Sequence, residues 1–527
     1  MRKRVERLRG MHDLLPEAYQ QQRWVTDRLS RFLLGAGYAA VDAPILERSD
    51  LFLSSFGQEL WQNLYTFRLH QHDLCLRPEY TASICRLYLD HYQQHPLPLR
   101  FQYAGPVFRY EAPGRGRYRQ HTQLGIELLG GHAISADSEI LQLACDALNE
   151  LHIAPYRLEL GHIGVASRFI HRLHLDDQAA RLLLSLMEQI SRSDEGERMA
   201  QARLEALYPA DAVGEHSIKE GATSEASHVE RRLIASLLDS MSIAFGDDDV
   251  QHEVVERFLW KMGRGEQRRQ ILHALEFLRA LHATSGSPPE VFEALRDLLG
   301  RYQLEPEPLT ELEQLVAIVE QCGIPRQQIL LNLALGRGVS YYTGLVFEIH
   351  ARDEDGFDTQ ICGGGRYDHL VKASGGAHDM NACGFAFGVE RLVSLLPKSE
   401  IPPVAAAQAV VIPVSIQDMP YALHIARSVR ASGVRTEVDV TGHGVGAGLK
   451  VAAKRQMRHV LIVGDDERQA STVTLRNLVT REERTLDIGS VVDCLVESGR
   501  KESAPTRPGN EAAPLPLRGQ PGRKEKE

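Results

Sequence analysis

Apolar residues recur every three or four positions from Ala18 to Gly37 (AYQQQRWVTDRLSRFLLGAG), and the run stops at Gly35 and Gly37. That spacing predicts an amphipathic helix ended by glycine. YAAVDAPILE follows and is strand-like, but Pro44 within it points to an edge or an interface. LYTFRL, DLCLRPE, LRFQYAGPVFRYE and HTQLGIELLGG then alternate with turn residues. Short apolar segments between turns predict an antiparallel sheet. Residues 136–152 read as a helix, with Asp137 and Ser138 near its start.

The pattern changes near residue 165. Long stretches such as ASRFIHRLHLDDQAARLLLSLMEQIS carry helical periodicity up to about residue 320. Strand and turn signals return in ILLNLALGRGVSYYTGLVFEIH and DTQICGGGRYDHL, and CGFAFGVERLVSLL reads as a strand followed by a helix. The pattern therefore predicts a sheet-bearing core over 1–165 and 321–397, interrupted by a helical insertion over 166–320. After the linker PKSEIPPVAAAQ, strand and helix alternate through VVIPVS, ALHIARSVRASG, VRTEVDV, GLKVAAKRQM and HVLIVGDDE. This predicts a small α/β domain over 406–497 with a largely parallel sheet. Residues 498–527 are rich in Pro, Gly, Ser and charge and are expected to be disordered. The fold class is α+β.

Composition narrows the function classes. The 527 residues carry a formal net charge of −10, which weighs against a polyanion binder held by bulk charge but permits a local basic patch. No apolar run approaches the roughly twenty residues of a membrane span. The basic N-terminus MRKRVERLRGMHDLLP has no apolar core of a secretory signal. Seven scattered cysteines with no CxxC pair predict buried thiols in a reducing cytoplasm.

The densest chemistry lies in FRYEAPGRGRYRQHTQLGIE, where Arg109, Arg115, Arg117 and Arg119 surround a Pro-Gly turn. A hairpin can present several guanidinium forks to phosphate oxygens at once. For Arg115 and Arg119 a solvated hairpin tip competes evenly with phosphate or nucleic-acid contact. Arg109 directly follows an apolar strand, which favours anion binding. Glu79 in LRPEYTAS and Glu127 in QLGIE each end an apolar segment, and together they could receive a cationic group. Arg337 lies between two glycines just upstream of the apolar run Leu345 to Ile349, where a guanidinium is costly unless an anion meets it. Tyr341 and Tyr342 follow it, and strand alternation would let at most one face a pocket. Arg391 sits at a strand-to-helix junction, and Gly363 to Gly365 permit close backbone approach. No HExxH, GxSxG, GxGxxG or Walker loop is present.

Taken together these segments resemble the class II aminoacyl-tRNA synthetases, and within them the histidyl-tRNA synthetase family. YAAVDAPILE is similar to motif 1, FRYE…GRYRQHTQLGIE to motif 2 and GFAFGVERL to motif 3. LRPEYTA and RGVSYYTGLVFE are similar to the two stretches peculiar to the histidine enzyme, and RGMHDLLP to that family's usual start. The resemblance covers roughly 1–165, 325–395 and 408–490.

The resemblance implies ATP-dependent ligation of L-histidine to histidine tRNA by way of an adenylate. It implies ATP with Mg2+ carried as the ATP complex rather than by protein ligands. It also implies a homodimer formed through the Pro44 region, and no membrane association. Arg109 and Arg337 would be catalytic, meeting the α-phosphate from two sides. Glu79 and Thr81 would receive the α-ammonium. Gln123, Glu127, Tyr341 and Tyr342 would line the histidine pocket. Glu111, Arg117 and Arg391 would join Arg109 around ATP. Lys450, Lys454 and Arg455 would form a basic face in the anticodon-binding domain. The chain departs from the family at Ser340, where many members have aspartate, and at Ala112, where some carry arginine. Its helical insertion is also longer than usual. The rival reading is the histidine-sensing regulatory subunit of ATP phosphoribosyltransferase, which typically lacks the anticodon domain and the motif arginines. A further one is a synthetase-like enzyme acting on another acceptor or amino acid.

Overall fold

The helix expected at 18–37 spans Pro16–Gly35, with Pro16 in its first turn, where a missing N–H costs nothing. Val25, Leu29 and Leu33 form its buried stripe. The structure is a computed structural model that describes residues 5–53, 63–112, 114–175, 269–335, 341–397 and 407–503, with isolated positions besides. Arg337 and Ser340, and most of the 166–320 insertion, lie outside the described residues.

The chain divides into two units, Met1–Pro402 and Pro403–Glu527. In the first, the strands in chain order are β1 (Ala39–Ala40), β2 (Leu46–Arg48), β3 (Thr66–Leu69), β4 (His72–Leu76), β5 (Leu99–Phe108), β6 (Gln120–Leu129), β7 (Tyr156–His162), β8 (Ser285–Gly286), β9 (Ile329–Asn332), β10 (Leu345–Arg352), β11 (Asp358–Arg366) and β12 (Ala382–Gly388). Nine of them form one sheet in the order β1-β5-β6-β12-β11-β10-β7-β9-β8. The pairings are antiparallel except β1 with β5 and β7 with β9. A small sheet, β2-β4-β3, stands apart. The proline-bearing stretch at 38–47 is thus two short strands with Pro44 in the loop between them. A proline cannot donate to a ladder, so the strand breaks there.

Side-chain alternation gives the large sheet two unlike faces. On β6, Leu124, Ile126 and Leu128 enter the main core with the Pro16–Gly35 stripe and with Ile140, Leu141 and Ala144 of the helix Ala133–Glu150. Full burial of each such leucine stabilises by about 1.5–3 kcal/mol, so this face holds the sheet in place. The opposite face of β6 carries His121, Gln123, Gly125 and Glu127. The helix Thr81–His91 covers part of that face, through Ile84, Cys85 and Tyr88.

The second unit holds β13 (Ala409–Pro413), β14 (Thr436–Val438), β15 (His459–Val463), β16 (Thr472–Asn477) and β17 (Glu483–Asp487) in the order β14-β13-β15-β16-β17. β13 pairs in parallel with β14 and β15, whereas β15–β16 and β16–β17 are antiparallel. The sheet is therefore mixed rather than largely parallel, because the chain after His459–Val463 returns through connections, the first carrying only the short helix Asp465–Ala470, that are too short for a crossover to a parallel neighbour. The final helix, Ile488–Ser503, runs beyond residue 498, where a disordered tail was expected to begin.

Candidate active site

Glycines pave the open face of the large sheet. Gly125 on β6 pairs with Tyr103 of β5 and Ala386 of β12, and Gly384 pairs with Glu127 and Gly365. A methyl group on Gly384 would run into the Glu127 carboxyl, and one on Gly365 would lie 2.8 Å from the Tyr342 ring. A methyl group on Gly125 would strike the Tyr103 ring at 2.8 Å. The glycine triplet therefore makes room for the protein's own polar side chains, which lie flat on the sheet above it. Gly364, the middle residue, faces the core instead, where a methyl group would lie 2.8 Å from the Phe347 ring.

Two carboxyls are buried above this floor. Glu127 is 1% exposed and accepts hydrogen bonds from Thr81 Oγ1 (2.7 Å), from the Tyr103 hydroxyl (3.1 Å) and from the Tyr367 hydroxyl. Burial pushes its pKa from 4.5 up to about 8; the three hydroxyl donors oppose that rise, and the neighbouring Glu79 charge adds to it. Glu79 is 5% exposed, and its two oxygens accept the amide hydrogens of Thr81 (2.6 Å) and Ala82 (2.9 Å). Those amides open the helix Thr81–His91 and lack intrahelical partners, so a carboxylate completes them. Burial raises the Glu79 pKa, and these hydrogen bonds and the charge of Arg109 pull against it.

The tyrosines do not alternate. Tyr341 and Tyr342 lie in a turn ahead of β10, and their rings sit 4.9 Å apart, both against the cluster that holds Tyr80, Tyr103 and Tyr367. The expected split onto opposite faces applies to a strand, and no strand forms there. Tyr341 feels both buried carboxyls. Burial raises its pKa first, then the charges of Glu79 and Glu127, and it also hydrogen-bonds Thr81.

Cations ring the other end of the same face. Arg109, just past β5, donates from Nε to the Pro78 carbonyl oxygen (3.0 Å). Arg391, in the first turn of the helix Val389–Leu395, donates to the carbonyl oxygens of Gln360 (2.6 Å) and Gly116 (3.2 Å). Between them His121 is held neutral, its pKa driven down to about 3 by burial and then by the charges of Arg109 and Arg391. Gln123 Oε1 is buried and has no hydrogen-bond partner among the described residues.

The hairpin arginines separate by role. Arg115 pairs with Asp353 (2.7 Å) and Asp355 (2.5 Å) and lies over the Phe357 ring, so it fastens the tip to the β10–β11 turn. Arg119 donates to the carbonyl oxygens of Glu111 (3.1 Å) and Arg9 (3.2 Å) and covers the Tyr110 ring at 3.9 Å. Both are structural contacts. Arg117 is exposed at the tip, and Glu111 is half-buried. Pro44 is exposed, as are Ile45 (43%) and Leu46 (44%) next to it.

Several site residues escaped the sequence reading. Tyr103 and Tyr367 were indistinguishable from core aromatics, and only the ladder shows that they converge on Glu127. Arg77, 1% exposed, donates to the carbonyl oxygens of Pro106 (2.9 Å) and Ala43 and lies over the Tyr80 ring at 3.9 Å. Tyr80 in turn stacks on Tyr103 at 4.2 Å. In the second unit Lys450 and Lys454 are exposed, whereas Arg455 is engaged by Glu437, with Nη2 to Oε1 at 2.7 Å.

The large antiparallel-rich sheet with its glycine-paved open face has the fold of the class II aminoacyl-tRNA synthetases. Residues 10–210 and 234–392 match the family model described as Histidyl-tRNA synthetase, and residues 408–498 match the Anticodon binding domain. The chain belongs to the histidyl-tRNA synthetase family. It is 28% identical to the histidine–tRNA ligase of Pyrococcus furiosus over 492 residues, 93% of this chain and 98% of that one. It is also 28% identical to the histidine–tRNA ligase of Methanocaldococcus jannaschii over 488 residues, 92% and 98% of the two chains. Its fold is shared with apo S. aureus histidyl-tRNA synthetase (TM-score 0.59, 21% identity, 93% of this chain and 100% of that one). It is shared too with a Bacillus halodurans protein described as an ATP phosphoribosyltransferase regulatory subunit/histidyl-tRNA synthetase (TM-score 0.57, 22% identity, 87% and 98%).

Proposed function

We propose that this chain joins L-histidine to histidine tRNA in two steps driven by ATP, and that it does so as a cytoplasmic homodimer. In the first step a histidine carboxylate oxygen attacks the α-phosphorus, the bond to the bridging oxygen breaks, and pyrophosphate leaves. In the second, a ribose hydroxyl at the tRNA terminus attacks the activated carbonyl and AMP leaves.

The observation that carries this reading is Glu127 and Glu79 buried together on a sheet face that also carries His121 beside Arg109 and Arg391. A zwitterionic amino acid with a basic ring fits such a site. Glu79 receives the α-ammonium with Thr81, and Glu127 accepts from the imidazole, with Gln123, Tyr341 and Tyr342 as walls. Arg109 and Arg337 hold the α-phosphate oxygens on which charge grows as the bond forms. Fixed cations stabilise that charge without reorganising. Glu111, Arg117 and Arg391 hold the rest of ATP, and magnesium arrives on the ATP phosphates. Neutral His121 can lie against a nucleotide without adding a charge. The exposed Pro44, Ile45 and Leu46 suit burial against a second copy. Lys450 and Lys454 suit phosphate contact with tRNA. Five of the seven cysteines, Cys75, Cys85, Cys145, Cys362 and Cys383, are buried, as fits thiols in a reducing compartment.

The regulatory-subunit reading is disfavoured by Arg109, Arg117, Arg337 and Arg391 together, and by the match of 408–498 to the anticodon domain. The test is histidine-dependent ATP–pyrophosphate exchange, followed by charging of total tRNA with labelled histidine. Both are expected. Absence of exchange with active protein overturns the reading. Exchange without charging transfers it to another acceptor.

A further inference from the structure

Behind the site, three elements meet at one buried carboxyl. Glu390 belongs to the first turn of the helix Val389–Leu395, adjacent to Arg391. β12 ends at Gly388, paired with Gln123 of β6, so Thr122 lies one residue beyond the last rung. The Glu390 side chain fills that place, and its Oε1 accepts the Thr122 amide hydrogen at 2.8 Å. Gln22, from the helix Pro16–Gly35, donates from Nε2 to the same oxygen at 3.1 Å and also contacts Thr122 Oγ1. One carboxyl oxygen therefore joins the first helix, the ATP-facing strand and the Arg391 helix.

Two atoms remain. Glu390 Oε2 and Gln22 Oε1 are both buried and have no partner among the described residues. Each is the second polar atom of a group whose first makes the 3.1 Å contact, and an ionised carboxyl leaves both as acceptors without a donor. A proton on Oε2 satisfies both, because the acid then donates to Gln22 Oε1 while the amide donates to Oε1 of the acid. We propose that Glu390 and Gln22 form a neutral acid–amide pair that locks the Arg391 helix onto the β6 strand, which makes Glu390 a positioning residue for ATP. Burial supports the protonated form by raising the Glu390 pKa, against the hydrogen bonds from its own amide, from Thr122 and from Gln22 that lower it. The clamp acts where position matters. His121 and Gln123 flank Thr122 on the site face, and Arg391 reaches from the next residue of the helix to Gly116 and Gln360. Glu79, Thr81 and Glu127 are held by separate contacts, so the carboxyl end of the histidine pocket does not depend on it.

The inference rests on the proposed ATP site, so it is read by binding as well as turnover. Calorimetry with MgATP and separately with histidine compares wild type, Glu390→Gln, Glu390→Ala and Gln22→Leu. Glu390→Gln keeps a neutral acceptor and donor and is expected within about threefold of wild type for ATP. Glu390→Ala and Gln22→Leu are expected to weaken ATP about tenfold or more, with histidine affinity within about twofold. If Glu390→Gln weakens ATP as much as Glu390→Ala, the carboxyl is ionised and the acid–amide pair is wrong. If ATP and histidine weaken equally, the contact is merely structural and the positioning role is wrong. Should Glu390→Ala not fold, the other two variants decide. Wild type that binds neither ligand refutes the site reading itself, which is a different outcome from a variant series with flat ATP affinity.

Discussion

Tyr367 donates its hydroxyl hydrogen to Oε2 of Glu127 across 240 residues of chain, while Thr81 and Tyr103 both donate to Oε1. All the donors are thus on one buried carboxyl, and none of them is its neighbour in sequence. Removing one leaves burial less opposed. Tyr367→Phe is expected to raise the KM for histidine about tenfold and leave the KM for ATP within about twofold, as steady-state exchange kinetics would record. Equal loss for both substrates would count against a place in the histidine pocket.

Glu127 sets a pH signature on stability. Its pKa is raised from 4.5 to about 8, so between those values the folded chain holds a proton that the unfolded chain has released. Folding stability therefore falls as pH climbs through that window, by up to about 1.4 kcal/mol per unit from this group, and levels off above it. Glu127→Gln removes the titration. The gap in Tm between Glu127→Gln and wild type should widen in favour of the variant from pH 5 to pH 8. A gap that is constant with pH means that Glu127 is already ionised at pH 5.

The hairpin arginines should separate functionally. Arg115→Ala loses pairs with Asp353 and Asp355, and Arg115 is half exposed, so its effect on the KM for ATP should stay below about threefold. Arg117→Ala should raise that KM about tenfold or more. The reverse order would reassign the phosphate contact to Arg115.

Gly384→Ala places a methyl group into the Glu127 carboxyl and the Ile126 carbonyl oxygen. The strand cannot yield without breaking the ladder, so the carboxyl must move. Histidine binding by calorimetry should fall by at least about tenfold while the far-ultraviolet dichroism is retained. Unaltered histidine affinity would remove Glu127 from the pocket.

Arg337→Ala should lower kcat for exchange about a hundredfold or more with little change in the KM for histidine, because the charge it meets grows during bond formation. A near-normal kcat would leave Arg109 as the only α-phosphate cation.

Local pattern reached far in this chain. The helix Pro16–Gly35, the β5–β6 hairpin, the β12-to-helix junction and the α+β class were all legible, because each is written in spacings of a few residues. Arg109 stood out because charge directly next to an apolar strand is costly without a partner, and Arg391 because it sits at a strand-to-helix junction, whereas Glu79 and Glu127, each taken alone, read as surface or capping residues. The mixed sheet of the second unit was not legible. Short apolar runs such as Thr472–Asn477 carry no mark of strand direction.

The sequence by itself determined which segments form strands and helices, which family those segments resemble, and which charged residues needed partners. Only the tertiary structure decided who the partners are. It tied Arg115 to the β10–β11 turn and Arg119 to backbone carbonyls of Glu111 and Arg9, set Tyr341 and Tyr342 side by side, and brought Thr81, Tyr103 and Tyr367 to Glu127. The reason is the register of a sheet whose neighbours are distant in sequence. Gly365, Gly384, Glu127 and Phe101 share one line across four strands, and no local spacing encodes that line.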